Sequence, residues 1–315
     1  LLLLSLLQTV YYTGKIWSVQ DTEESKMYEK PRYHFILISQ EINNPYWKLV
    51  LKGAEDAARN NNVAIEFRGP VESNLEQHIQ LIEMAIASRV DGILTQGLEE
   101  AKFQPVIDKA IARGIPVITV DTDARTSKRL TYIGTNNYQA GYQAGKHMAE
   151  ALHGQAKIGI ITGSFEASNM IERLQGFQDA IRDEPGMQIV AIESSNISRI
   201  RAMEKTATLL NHHPEINALF GASALDGMAM AQVAFNRGRH DLYILAFDGL
   251  PETIDWMKKG VIAATVVQEP YQMGYHSVEQ LIDAIQGKRL QPSYYTDIHI
   301  LTADQLNRRG VGAKE

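Results

Sequence analysis

The side chains of this 315-residue chain with types and spacing suited to chemistry fall into four short clusters, each just past a β-branched run. The first is Ser39-Gln40-Glu41-Ile42-Asn43-Asn44-Pro45-Tyr46-Trp47. The others are Asp121-Thr122-Asp123, Phe247-Asp248-Gly249 and Gln268-Glu269-Pro270. Carboxylates and amides that converge on a cleft accept from and donate to vicinal hydroxyls, and a carboxylate taking two hydroxyls makes strong, oriented hydrogen bonds. The adjacent aromatics Tyr46 and Trp47 at a helix start offer flat apolar faces, the means by which a protein grips a sugar ring or another amphipathic ligand. Taken singly, each has a plainer reading: Asn44 as a helix cap, Pro45 as a first-turn residue, an Asp at a strand end as a turn residue.

Other chemistries lack their parts. Thr162-Gly163-Ser164-Phe165 follows a β-branched run, but it has no G-x-S-x-G frame and no paired His and acid to activate Ser164. His212-His213 stands before Pro214 at a helix end, adjacent residues that point apart, which fits capping better than metal binding. Asp121 with Asp123 is a pair of carboxylates that could approach a cation. Neither a phosphate loop nor a G-x-G-x-x-G after the first strand is present. The chain contains no cysteine, which removes disulfides, thiolate metal sites and a Cys nucleophile. No cofactor, metal or catalytic activity is expected.

To position these clusters, short β-branched runs must alternate with helical patterns, the βαβ signature. Strands are expected at His34 to Ser39, Val63 to Arg68, Gly92 to Gln96, Pro116 to Asp121, Lys157 to Thr162, Gln188 to Ile192, Ala218 to Gly221, Leu242 to Phe247 and Ala263 to Val267. Helices are expected at Tyr46 to Asn60, Asn74 to Ser88, Phe103 to Arg113, Tyr138 to Leu152, Ile171 to Asp183 and Ala202 to Asn211. Runs such as Phe35-Ile36-Leu37-Ile38 do not alternate, as befits parallel strands covered on both faces. Ligands of such folds bind beyond the carboxyl ends of the strands, where the four polar clusters stand.

A chain of this length exceeds one core and predicts two domains. The formal net charge is −6 and the basic residues are scattered, so nucleic acid is not an expected partner. The N-terminus is different: Leu1 to Leu7 is apolar apart from Ser5, and Tyr11, Tyr12, Lys15 and Trp17 follow. The run is too short to span a bilayer, which takes about 20 residues. It is expected to be the trimmed end of a longer apolar segment, with the aromatics as an interfacial belt. Neither an A-x-A-like cleavage site nor a lipobox Cys appears before the polar stretch Asp21 to Lys30, which favours an uncleaved anchor.

Ser39 to Trp47, Gly114-Ile115-Pro116-Val117-Ile118-Thr119-Val120-Asp121, Phe247-Asp248-Gly249 and Gln268-Glu269-Pro270-Tyr271-Gln272-Met273-Gly274 resemble the ribose-binding-protein family. These are the type I periplasmic binding proteins, kin of LacI-type repressor cores. The resemblance runs from about Arg32 to about Ile300. It implies an α/β fold of two Rossmann-like doubly wound parallel-sheet lobes joined by three crossovers, near Thr135-Asn136, Gln268 and Asp297. The boundaries implied are 1–31 for the N-terminal segment, 32–134 with 269–297 for lobe 1, and 135–268 with 298–315 for lobe 2.

Residue by residue, the resemblance implies that Asn44 binds ligand, that Tyr46 and Trp47 stack on it, that Asp121, Asp248 and Gln268 meet sugar hydroxyls, and that Phe247 lines the cleft. Four positions depart from the family pattern. Thr122 stands for an Arg, Gln96 for an acceptor Asn, Ile171 for the second-lobe Arg, and Leu225 for the Asn that precedes Asp226. The second lobe is therefore expected to offer fewer polar contacts.

The resulting expectation is an extracytoplasmic, membrane-tethered receptor that closes on a small monosaccharide-like ligand and presents the closed form to a membrane partner. That partner is a sensor histidine kinase, which the uncleaved-looking anchor favours, or an ABC sugar importer. A LacI-type regulator would need a helix-turn-helix before the core, and residues 1–31 do not form one.

Overall fold

Strands covered on both faces need apolar side chains at successive positions, and helices between them need one apolar stripe. The chain supplies both in alternation. The structure, a computed structural model, describes residues 30–306, so the Leu-rich segment expected to be an anchor lies outside the described residues. In chain order the elements are β1 (Tyr33–Ile38), α1 (Pro45–Asn60), β2 (Val63–Arg68), α2 (Leu75–Ala87), β3 (Gly92–Thr95), α3 (Glu100–Ala112), β4 (Val117–Val120) and β5 (Thr131–Gly134). Then come α4 (Asn137–Ala151), β6 (Gln155–Thr162), α5 (Ser168–Ile181), β7 (Gly186–Ser194), α6 (Arg199–His212), β8 (Ala218–Gly221), α7 (Ala224–Asn236) and β9 (Tyr243–Phe247). The chain continues through α8 (Pro251–Lys258), β10 (Ala264–Val267), α9 (Pro270–Ile285), β11 (Ser293–Tyr295) and β12 (His299–Thr302).

The strands form two six-stranded sheets, ordered β11-β5-β4-β3-β1-β2 and β12-β10-β9-β8-β6-β7. Each sheet is sandwiched between two apolar clusters, Phe35, Leu94 and Leu281 on one face of the first and Ile36, Ile93 and Phe103 on the other. Phe177 and Phe220 stack at 4.6 Å in the second lobe. The chain passes between sheets at 135–136, 268–269 and 296–298.

The two-lobed α/β fold expected from the sequence is the one the chain has. Within it, two features differ from expectation. β5, β11 and β12 are additional strands, each of three or four residues, too short to show a periodic signal. β12 also pairs antiparallel with β10, so the second sheet is mixed at its edge rather than parallel throughout. Among the described residues no helix is long and apolar enough to cross a membrane.

Parallel register brings the strand exits together. Ile38 of β1 lies opposite Thr95 of β3, so the residues that follow meet: the Gln40 N–H donates to Gln96 Oε1 at 2.8 Å. In the second lobe α4 and α5 pack at close range because Gly141 and Gly176 carry no Cβ. A Cβ at Gly141 would fall 2.0 Å from the Arg173 carbonyl oxygen, and one at Gly176 2.0 Å from that of Tyr138.

Candidate functional site

The two lobes meet at a pair of aspartates that are alike in backbone. Asp121 follows β4 and Asp248 follows β9, the fourth strand of each lobe along the chain, and both have positive φ, 67° and 69°. Such a conformation is uncommon for a residue with a Cβ and persists only where its surroundings hold it. Here they do. The Asp121 N–H donates to Ile133 O at 2.9 Å, and the Tyr132 hydroxyl donates to Asp121 O at 2.8 Å. The Asp248 N–H donates to Val266 O at 2.7 Å, and the Thr265 hydroxyl donates to Asp248 O at 2.8 Å. Each carboxylate is thereby turned off its strand into a small cavity of about 50 Å³ between the lobes.

The carboxylates differ in what they already hold. Asp121 Oδ1 accepts from the Tyr46 hydroxyl at 2.7 Å, and Oδ2 accepts from Thr122 Oγ1 at 2.8 Å, Gln96 Nε2 at 3.1 Å and Asn169 Nδ2 at 3.3 Å. Four donors fill the capacity of a carboxylate. Asp248 accepts one side-chain bond, from Gln268 Nε2 to Oδ1 at 2.8 Å. Burial pushes its carboxyl up to about 6, against the pull of Arg173 and the Gln268 hydrogen bond, with Asp121 adding to the rise.

Arg173 is the cation between them. Only 2 % exposed, it donates from Nε to Asn137 Oδ1 at 2.8 Å, from Nη1 to Ala222 O at 2.9 Å and from Nη2 to Gln268 Oε1 at 3.0 Å. Its guanidinium stands 3.9 Å from the centre of the Phe247 ring. A guanidinium has five N–H donors, so two remain. Gln268 also takes the Thr135 hydroxyl at 2.6 Å, tying the hinge to the site.

The sequence-derived candidates sort into three groups. Asn44, Tyr46, Trp47 and Gln96 line the cavity, as do Asp121, Leu225, Asp248 and Gln268. Asn44 is at the same time the cap of α1, its Oδ1 accepting the Tyr46 N–H at 3.0 Å. Thr122 and Phe247 are fully buried one layer behind, Thr122 bracing Asp121 and Gln96, Phe247 lying under the guanidinium. Ile171 is corrected: it is 49 % exposed and outside the cavity. Asn169 and Arg173, four apart, share the inward face of α5, and Ile171 between them points away. The expected thinning of polar contacts in the second lobe is therefore offset by Arg173 and Asn169.

Sequence reasoning missed Gln40, Asn169, Met170, Arg173, Ile197 and Ser223 on the cavity wall. The i, i+4 spacing of Asn169 and Arg173 on the helix after β6 was the available signal. Ile197 had none: it is a β-branched residue held at φ 56°, next to Asn196 at 49°. Asp123 does not join a cation site, because Arg129 takes both its oxygens at 2.6 Å. Among the described residues no group of three acidic or histidine side chains is placed to hold a metal ion.

The lobes also touch directly. Arg125 Nη2 lies 2.7 Å from Glu172 Oε1, Ser168 Oγ donates to Asp123 O at 2.9 Å, and the Asn169–Asp121 bond joins the same pair of surfaces. All three run from the first turns of α5 to the loop after β4.

Comparison with known proteins gives the following. Residues 35–289 match the periplasmic binding protein domain. The crystal structure of GanP, a glucose-galactose binding protein from Geobacillus stearothermophilus, is 47% identical with a TM-score of 0.85, covering 87% of this chain and 98% of that one. The XylFII–LytSN complex is matched at 34% identity and a TM-score of 0.82, covering 87% and 98%. The ribose import binding protein RbsB of Bacillus subtilis is 28% identical over 262 residues, 83% of this chain and 84% of its own length.

Proposed function

Because the chain belongs to the periplasmic binding protein family, we propose that it is an extracytoplasmic sugar-binding receptor whose ligand is a neutral monosaccharide, with aldohexoses of the glucose and galactose type first in line. The observation that carries this is the unequal pair of carboxylates. Asp248 keeps an oxygen free for ligand hydroxyls while Asp121 is filled. The spare N–H groups of Arg173 and the amides of Gln268 and Asn169 stand ready to donate to ring and hydroxyl oxygens. Trp47 in the first lobe and Ile197 and Leu225 in the second supply apolar surface for the ring's C–H faces. The 47% identity to a glucose-galactose binding protein supports the hexose choice.

A sugar touching both lobes stabilises the closed form by the difference between its closed and open affinities, and the surface thus assembled is what a membrane partner reads. A sensor histidine kinase is the favoured partner, supported by the likeness to XylFII in the XylFII–LytSN complex. An ABC sugar importer is the second reading, supported by the likeness to a ribose import binding protein.

Calorimetric titration with D-galactose, D-glucose, D-ribose, D-xylose and L-arabinose tests the receptor reading. A saturable heat with one or two of them, lost in Asp248→Ala, is the expected result, and no heat with any of them overturns it. Sugar-dependent phosphorylation of a co-reconstituted kinase, against sugar-dependent ATP hydrolysis by a permease in proteoliposomes, separates the two partners.

A further inference from the structure

On the hinge lies a second, open cavity of about 430 Å³. Its walls come from the first turns of α9 (Glu269, Gln272, His276) and from β11 with the last crossover (Tyr294, Tyr295, Asp297). Among the described residues no Lys or Arg lines it. Tyr294 and Tyr295, consecutive residues of an edge strand that both contribute to this wall, are 40 % and 49 % exposed, and the Tyr295 ring meets that of Tyr132 edge-on at 6.1 Å. The His276 ring, 4.8 Å from that of Tyr294, extends the aromatic surface and is itself paired with Glu279 at 2.9 Å. The Thr296 hydroxyl, also in this wall, is buried without a hydrogen-bond partner. Among the described residues the carboxylates of Glu269 and Asp297 have no ion-pair partner.

Two carboxylates without counter-charge beside open tyrosine faces form an environment for a cation that is itself flat or apolar-jacketed. The ring quadrupole attracts such a cation and the carboxylates neutralise it. A metal ion is a poor fit, since among the described residues no three acidic or histidine side chains converge. The walls also belong to the crossovers between the two sheets. Glu269 follows Gln268, which holds Asp248, Arg173 and Thr135 inside the sugar cleft, while Asp297 is on a different crossover. A rotation of the lobes about these crossovers would change the spacing of the two carboxylates.

We propose that this hinge cavity binds an organic cation, an ammonium or guanidinium group, and that its affinity changes when the sugar cleft closes. The second half rests on the receptor reading above; the first does not. By linkage, a cation bound there shifts sugar affinity by the same factor as the sugar shifts cation affinity.

The test titrates the full protein with N-acetyl-L-arginine amide, a stand-in for a side chain of a partner protein, and separately with spermidine, a free polyamine, each with and without saturating D-galactose. Expected are saturable binding of at least one probe at millimolar concentration or below, weakening by about tenfold or more in Tyr295→Ala and in Glu269→Gln, and a different affinity when D-galactose is present. Preference for the arginine amide assigns the site to a partner's basic residue, and preference for spermidine assigns it to a free amine. Absence of saturable binding by both probes, or binding untouched by both substitutions, overturns the site. Equal affinity with and without bound sugar overturns the coupling. Should D-galactose itself fail to bind, the receptor reading suffers and the site assignment is still decided by the probes alone.

Discussion

Asp121 and Asp248 share a strand-end position and a left-handed backbone, yet they have opposite duties. Asp121 is a hub: it fastens Tyr46, Gln96 and Thr122 in its own lobe and receives Asn169 from the other. Asp248 has acceptor capacity to spare. Asp248→Asn should therefore lower sugar affinity by about 100-fold or more, the cost of exchanging a charged acceptor for an amide in a buried site, with the fold intact by circular dichroism; unchanged affinity would refute its role. The acidity of this group yields two opposed pH trends. Burial raises it from 3.8 to about 6, so sugar affinity should fall as pH drops below about 6 and the acceptor is protonated. Stability of the sugar-free protein should run the other way. A carboxyl raised in the folded state contributes stability that is full below its unfolded value and is lost as pH rises through its folded value. Asp226, fully buried and pushed by burial to about 7 against the lowering pull of Ser223 and Ser195, adds to the same trend. Denaturant unfolding of the sugar-free protein should show stability declining by a few kcal/mol between about pH 4 and pH 7, and Asp226→Asn should flatten that slope.

At the scale of elements, the cleft depends on how closely α4 and α5 approach. Gly141→Ala places a Cβ 2.0 Å from the Arg173 carbonyl oxygen, which must push α5 away and carry Asn169 and Arg173 with it. The expected cost is about 1–3 kcal/mol of stability, as for other overpacked interiors. Sugar affinity should fall as well, although Gly141 lines no part of the cavity; a variant that loses stability but binds sugar normally would show that Arg173 is placed by something else. The same helix marks the boundary of what the sequence discloses. Strand exits are legible, because apolar runs end in polar residues at positions where a parallel sheet opens its cleft, and that is how Asn44, Asp121, Asp248 and Gln268 come to be singled out. Helix faces are harder. Whether Ile171 or Arg173 turns inward is a matter of about 100° per residue, and the loop from Thr162 to Ser168 sets that phase without a sequence signature. Short edge strands escape for a related reason: β5, β11 and β12 have too few residues to show a period and exist because a neighbouring strand offers its hydrogen bonds.

For the molecule as a whole, the question is how much of closure the protein supplies and how much the sugar supplies. The chain alone makes three bonds between α5 and the loop after β4. Arg125 is 61 % exposed at its side chain, so its pairing with Glu172 contributes between about 0 and 1 kcal/mol. The Asn169–Asp121 bond is buried, and as a hydrogen bond to a charged group it contributes more, about 1.5–3 kcal/mol. Driving a two-state equilibrium from 1:99 to 99:1 requires about 5.5 kcal/mol of differential affinity. Three bonds of this size fall short of that figure, so on the proposed receptor function they would bias closure and the sugar would complete it. Asn169→Ala combined with Arg125→Ala should therefore open the sugar-free protein, seen as a larger radius of gyration in small-angle scattering, and should enlarge the compaction that saturating sugar produces. Sugar dissociation should become several-fold faster in stopped-flow measurements, since the closed complex loses its own fastening. If the doubly substituted, sugar-free protein scatters identically to the parent, the three bonds do not bias closure, and the lobes are held at their angle by the hinge segments around Gln268 and Thr296 instead.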